Sequence, residues 1–374
     1  MGEGSAAEPL FRRWEARLAR HTLPLSLAIL ALGVVLRLHF ITACHLNPDE
    51  AMHVLLADHD SLGEAYRDSL TQAHPPLLTL VLHLLQHLGR GVLLLRLPGL
   101  VAATLGTWFL HRWCRDLFGK GTALVLLVLL AFSPAFFLPA VEIRQYGLLI
   151  LGIGAALLGL ERAFTLDSVT WLGWGHLGLL VAILSHYSAI WVAASLGCWG
   201  LLRLVRESSG RRLALLWTGF QLLFLLLYLF FHFTHVRQMQ AGWMQEFAVG
   251  DYLKAGYPQE GNQSLLSFFG SNLAGIFAYL GGGGAAGIAG VLLFAAALPA
   301  LALLPARPGG RRRPDLALLL PLPLLLGGAG TLLELQSFLG SRHTTYLLPF
   351  LAAGAVFPLL RWARHPVLTA TVLG

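Results

Sequence analysis

Apolar runs close to the ~20 residues that carry a helix across a bilayer recur from residue 24 almost to the end of the chain. Inside a bilayer every backbone N–H and C=O must be satisfied within the fold, so runs of this kind specify a helical, lipid-embedded core. The charge content agrees: 12% of residues are charged and 56% hydrophobic, whereas soluble domains carry roughly 25% charged residues. A domain count taken from length therefore does not apply. The fold class expected is all-α, a polytopic transmembrane bundle of about nine to eleven spans with short juxtamembrane helices in the first outer loop.

The formal net charge is +7. The basic residues sit in short clusters between apolar runs, at 11–20, 112–120, 203–212, 307–313 and 361–364. That is the pattern of cytoplasmic loops, so it reports topology and gives no reason to expect a nucleic-acid partner. Cys44, Cys114 and Cys198 show no CxxC spacing, and no disulfide framework follows. The "ITAC" before His45 resembles a lipoprotein cleavage box only loosely. The run before it is too long and is interrupted by Arg37 and His39, which points to uncleaved insertion.

With the basic clusters inside, residues 24–43 run outward, 91–111 inward, 121–140 outward and 146–160 inward. Residues 171–186 then run out, 187–202 in, 213–233 out, 285–305 in, 316–333 out and 344–360 in. The segments 75–89 and 265–281 are left over, each a half-entering helix, an interfacial helix or part of an extra crossing. No internal repeat is visible. The chain divides into an interfacial cytoplasmic N-terminal helix at 1–23, a transmembrane domain at 24–362 with outer loops at 44–74 and 235–264, and a tail at 363–374.

This threading gathers the unusual polar residues at the outer ends of spans: Asp49, Glu50, His53, His74, Arg96, Glu142, Arg144, Gln145, Tyr146, His186, Tyr187, Arg342 and His343. Ionisable groups at that depth are costly unless they pair or line a wet cavity, so their convergence marks a candidate site. In "LNPDEAMH", Asn47 suits an N-cap, Pro48 the first helical position, and Glu50 the acid of a capping box. Helix initiation accounts for Glu50 almost fully and for Asp49 only through the helix dipole. Asp49 and His53, four apart, share a helix face and can meet one substrate hydroxyl. The prolines of "AHPPLL" hold His74 extended at the membrane lip. Arg96 in "LRLPGL" needs an anion, and Asp49, Glu142, a lipid phosphate and a substrate phosphate all qualify, as does snorkelling toward headgroups. "SPAFFLPAVEIRQYG" breaks an outward span at Pro134 and Pro139 and then presents Glu142, Arg144, Gln145 and Tyr146 together, and "SHYS" and "GSRHTTY" repeat the pattern at two other outer ends. His45, Asp49 and His53 recur every four residues, a spacing that can hold a divalent metal, but His45 precedes the cap and leaves that face. No cofactor is firmly implied. The "NQS" sequon at 262–264 is uninformative without a known host.

The order of these motifs resembles a known superfamily: an acid pair in the first outer loop, His-Pro-Pro opening a helix, Arg-Leu-Pro, Ser-Pro followed by Glu-x-Arg-x-Tyr, His-Tyr, and Ser-Arg ahead of "YLLP". The set, spanning residues 25 to about 360, is similar to the bacterial relatives of protein O-mannosyltransferases and aminoarabinose transferases, polytopic glycosyltransferases of the C-type fold. The resemblance implies a sugar donor linked to polyprenyl phosphate, a lipid, glycan or protein acceptor, and transfer at the outer face of a bacterial cytoplasmic membrane. It makes Asp49 the general base, with Glu50 beside it, Arg96, Arg144 or Arg342 the stabilisers of the leaving phosphate, and His74 and Tyr146 the groups that orient acceptor or phosphate. His53, Glu142, His186, Tyr187 and His343 complete the substrate- and phosphate-binding set. The chain departs from the pattern in having "LL" after His-Pro-Pro and His343 after Ser-Arg, where relatives often carry aromatic residues. It ends at Gly374 without the large outer C-terminal domain of some relatives, which puts acceptor selection on the 235–263 loop or on a partner membrane subunit; the loop's Trp243, Phe247, Tyr252 and Tyr257 either stack on sugar rings or, the slightly favoured reading, rest on the headgroups. A catalytically silent member of the fold, serving as an accessory subunit, is the alternative reading. A transporter fits less well, because polar midplane groups between repeats are missing.

Overall fold

The computed structural model describes residues 20–207, 210–240, 248–259, 264–303, 305 and 312–362. The expected N-terminal interfacial helix up to residue 19, Trp243, Phe247, most of the sequon and the tail from 363 lie outside the described residues. What is described is helical apart from turns and one isolated bridge, Pro305 to Arg312. Among the described residues seven helices are long and apolar enough to cross a membrane, eight if the bent pair Lys120–Phe132 and Pro134–Val141 counts as one span. The chain is a multi-pass membrane protein.

The spanning helices begin with α1 (Thr22–Ala43). Three short helices follow in the first outer loop: α2 (Pro48–Ala57), α3 (Leu62–Ser69) and α4 (Leu77–Gln86). At 1.5 Å per residue, ten residues reach only ~15 Å, so α4 does not cross. It packs on α2 through Ala57, Leu78 and Leu82, and His83 Nδ1 and Gln86 Nε2 meet the carbonyls of Ala57 and Val54 at 3.1 and 2.9 Å. The first of the two left-over segments is therefore an interfacial helix.

The centre of the bundle is formed by α5 (Val92–Phe118), α8 (Tyr146–Leu166) and α9 (Val169–Ser185). Glycine lets these backbones meet, as small residues do at membrane helix interfaces: a Cβ on Gly147 would lie 2.6 Å from the carbonyl oxygen of Gly99, and one on Gly159 2.5 Å from Gly175. Between α5 and α8 stand α6 (Lys120–Phe132) and α7 (Pro134–Val141), bent by 53°. The bend has a chemical cause. Pro134 has no N–H to give the carbonyl of Leu130, and the N–H of Ala135 turns to Ser133 Oγ. The buried Arg37 of α1 supplies the missing donor, its Nη2 reaching the carbonyls of Leu130 and Ala131 at 3.5 and 3.1 Å. The bend redirects the chain so that Glu142 through Tyr146 arrive beside the first outer loop.

Next come α10 (Ala189–Arg206), α11 (Arg211–Phe231, continued by a π-helical turn to Val236), α12 (Leu265–Gly281), α13 (Gly284–Leu303), α14 (Pro314–Leu319), α15 (Leu322–Leu332) and α16 (Leu348–Trp362). The second left-over segment is α12. Its Phe269 packs on Phe338, its Gly275 faces Gly340, and Gly282 beyond its end lies against Pro134. All these neighbours belong to the half of the bundle that carries Arg342, so α12 stays in that half and only α13 returns.

A buried ionic network closes the other end. Glu161 receives Arg313 at 2.8 Å and Arg203 at 3.2 Å, Asp315 receives Arg313 at 2.7 Å, and Trp199 Nε1 donates to Asp315 at 3.0 Å. Arg203 and Arg313 belong to the basic clusters that the sequence assigns to the inside. Arg162 pairs with Asp116 at 2.8 Å beside them.

Candidate active site

The first outer loop enters its helix as the sequence implies. Asn47 Oδ1 accepts from the N–H of Glu50 at 2.9 Å, and Glu50 Oε2 accepts from the N–H of Asn47 at 3.1 Å, with Pro48 at the first helical position. Glu50 does more than cap. Its side chain is 1% exposed and takes a bidentate pair from Arg96, with Nε to Oε1 and Nη2 to Oε2 both at 2.8 Å, and the N–H of Ile143 reaches Oε1 at 2.9 Å. Burial opposes ionisation of Glu50, but Arg96 and the two backbone N–H groups hold its carboxyl below the ordinary range.

The same contacts occupy Arg96 within the fold. Its Nη1 donates to the carbonyls of Ile41 and Cys44 at 2.9 Å and its Nη2 to that of His45 at 3.0 Å, in addition to Glu50. The anion it needs is Glu50, and no donor remains for a ligand. Glu50 likewise has neither oxygen free to take a proton, so both act as a rivet joining α1, α2, α5 and the Glu142 segment.

Asp49, one residue earlier, points the other way. Its side chain is 48% exposed, and its Oδ2 is held by both Arg144 and Arg342, the latter at 3.0 Å. Among the described residues Oδ1 has no partner. Arg342 Nη2 also donates to the Tyr252 hydroxyl at 3.2 Å. Arg144 is nearly buried, its Nε 3.9 Å from Glu142 Oε2, and burial lowers its guanidinium to about 10, still a cation at neutral pH. Burial raises the Glu142 carboxyl, and Asn47 Nδ2 donates to it at 3.4 Å.

Behind the arginines lies a group of imidazoles from four separate stretches of chain. The His53 and His74 rings are 6.2 Å apart, His74 and His186 5.3 Å, and Tyr146 stands 5.4 Å from His186. His343 packs edge-on to Tyr252 at 6.1 Å. Burial, then the charge of Arg342, pushes His53 down to about 4; burial, then Arg342 and Arg144, does the same to His343; and burial holds His74 well below its usual value. All three are neutral at pH 7. Several polar atoms here are buried and unpartnered: His53 Nε2, His74 Nδ1, His186 Nε2, His343 Nε2 and both side-chain polar atoms of Gln145. Buried polar groups without partners are rare in a finished core and common where a ligand completes the set.

Residues 73–233 match the dolichyl-phosphate-mannose-protein mannosyltransferase family. The matched stretch holds His74, Arg96, Glu142, Arg144, Tyr146, His186 and Tyr187, and the match agrees with the resemblance carried by the motifs. Asp49, Glu50, His53, Arg342 and His343 lie outside it. With the polytopic helical fold, the match supports a membrane glycosyltransferase of the mannosyltransferase type. No curated protein matches the chain.

One expected member stands apart. Tyr187 bonds His235 Nδ1 through its hydroxyl, and His235 Nε2 is buried without a hydrogen-bond partner. The Tyr187 hydroxyl is thus engaged by His235. Tyr252, which the sequence marks only as an aromatic residue of the outer loop, bonds Arg342, and Tyr279 of α12, which sequence reasoning did not place in the site, lies where it feels the charges of Arg342 and Glu142. A tyrosine in an apolar helix carries no local signal for that role. Among the described residues no three His, Cys, Asp or Glu side chains come together to hold a metal ion, and His45 sits on the exposed stretch ahead of the cap.

Proposed function

We propose that this chain transfers a sugar from a polyprenyl-phosphate donor to an acceptor hydroxyl at the outer face of a bacterial cytoplasmic membrane, with Asp49 as general base. The observation that carries the reading is a half-exposed carboxylate between two arginines, next to a group of buried polar side chains that lack partners. A carboxylate that accepts a proton and cations that receive a departing phosphate are the two parts such a transfer requires.

In this mechanism the acceptor O–H gives its proton to Asp49 Oδ1 while the oxygen attacks the anomeric carbon. The bond from that carbon to the phosphate oxygen breaks, its electron pair leaves with the lipid phosphate, and the anomeric centre inverts. Arg144 and Arg342 meet the charge that develops on the phosphate; a positioned cation in a dry site contributes on the order of 3 kcal/mol to such a step. The neutral imidazoles of His53, His74, His186 and His343, with Tyr146, orient sugar and acceptor hydroxyls, since each can donate at one nitrogen and accept at the other. Glu50 and Arg96 hold the frame.

The test is transfer of radiolabelled mannose from polyprenyl-phosphate mannose by the purified chain in liposomes, with Asp49→Asn beside the wild type. The reading expects transfer by the wild type and none by the variant, although the variant inserts and melts like the parent. Equal turnover by the two proteins would remove Asp49 from the chemistry.

A further inference from the structure

The arrangement around Asp49 carries a consequence for the order of events, and it rests on the function proposed above. Both guanidinium groups that suit the donor's phosphate direct their Nη2 to the same oxygen, Oδ2 of Asp49. The other acids nearby do not take this place: Glu50 is bound to Arg96, and Glu142 Oε2 lies 3.9 Å from Arg144 Nε, beyond hydrogen-bonding distance. Arg342 is half-buried and has the Tyr252 hydroxyl as a second, neutral partner. It can therefore leave Asp49 without being left bare. Arg144 sits on the loop that follows the bent span and keeps a buried Nε with no hydrogen-bond partner.

We propose that Asp49 and the donor's phosphate compete for Arg144 and Arg342, so that donor binding itself releases the carboxylate for proton transfer. A carboxylate whose charge is matched by two cations is a weak base, and a phosphate that draws those cations away restores its basicity at the moment a sugar is in place. Acceptor activation is then tied to an occupied donor site, which protects the donor from a base acting on water. The reverse also holds: cations whose charge and Nη2 donors are engaged by Asp49 are less available to phosphate, which weakens the apparent affinity for the donor.

The competition makes a prediction with an unusual sign. Removing the base strengthens binding of the donor lipid. Polyprenyl phosphate without a sugar is the probe, and its affinity is measured by radioligand binding to the full chain in nanodiscs. Asp49→Asn is expected to bind it about tenfold more tightly than the wild type, the size of one contact charge interaction. Loss of a negative charge strengthens anion binding through space even without exchange, so the same change is made in an Arg342→Gln background. Exchange requires the gain to fall there by half or more, since one of the contested cations is gone. A gain that persists in full with Arg342→Gln, or weaker binding by Asp49→Asn, overturns the competition and leaves the proposed function standing. Absence of binding in every form, including the wild type, overturns the proposed function and the competition with it. Arg342 is half-exposed, so its glutamine variant is expected to fold.

Discussion

Glu50 and Arg96 offer the sharpest separation of scaffold from chemistry. Arg96→Met removes a guanidinium that is 2% exposed and donates to Glu50 and to three backbone carbonyls. Glu50, 1% exposed, is left as a buried anion with only two backbone N–H partners. Breaking a buried pair from one side costs about 3–5 kcal/mol. Adding Glu50→Gln removes the stranded charge while its amide oxygen keeps one of the two N–H contacts, which Asn47 makes to Oε2 and Ile143 to Oε1. The double variant is therefore expected to recover at least about 1 kcal/mol of the single variant's loss. The assay is thermal unfolding of the detergent-solubilised chain, read by intrinsic fluorescence, with sugar transfer measured on each protein below its melting point. The order expected is wild type, double variant, Arg96→Met, and the double variant still transfers sugar. An Arg96→Met protein that melts with the wild type, or a double variant that melts below it, would refute the rivet. Loss of transfer in a well-folded double variant would return Glu50 to the catalytic set.

Two more predictions follow from the same accounting. His53 and His343 have folded-state values near 4, below the unfolded value of about 6.5, so between those limits the unfolded chain binds more protons. Their contribution to stability is complete above pH 6.5 and is lost as pH falls toward 4, at about 1 kcal/mol per pH unit for each ring; a melting temperature unchanged from pH 7 to pH 4.5 would contradict it. At the opposite end, Arg313→Met leaves Glu161 and Asp315 to share the single cation of Arg203 and is expected to cost about 3 kcal/mol, seen as a lower melting temperature with transfer intact at permissive temperature; lost transfer without lost stability would contradict the structural role.

The sequence made legible whatever is encoded within a few residues. Asn47-Pro48 and Glu50 specify a helix start by local chemistry, and the structure builds that capping box. Apolar run lengths specify the spans, and the basic clusters put Glu161, Arg203 and Arg313 at the end opposite Asp49. Pairings across long stretches of chain were not legible. The anion for Arg96 was sought in Asp49, Glu142 or a phosphate, because Glu50 was already accounted for as a cap. One carboxylate has two oxygens and several lone pairs, and it serves both purposes. Tyr187 looked like the companion of His186, but adjacent residues leaving a helix end point in different directions, and its hydroxyl goes to His235. The left-over segments 75–89 and 265–281 were open to several placements because hydropathy records burial in apolar surroundings and not direction. Only the neighbours of Leu82 and Phe269 decide that one lies at the interface and the other within the outer half.

The central claim is that a lipid-linked phosphate docks between Arg144 and Arg342, and photo-crosslinking tests it most directly. A polyprenyl-phosphate mannose carrying a diazirine on the isoprenoid unit nearest the phosphate is irradiated with the chain in nanodiscs, and adducts are mapped by peptide mass spectrometry. Adducts confined to the peptides around Glu142–Tyr146, Tyr252 and Arg342–Tyr346, and competed away by unlabelled polyprenyl phosphate, are the predicted result. Competable adducts at Glu161, Arg203 and Arg313 instead would contradict it.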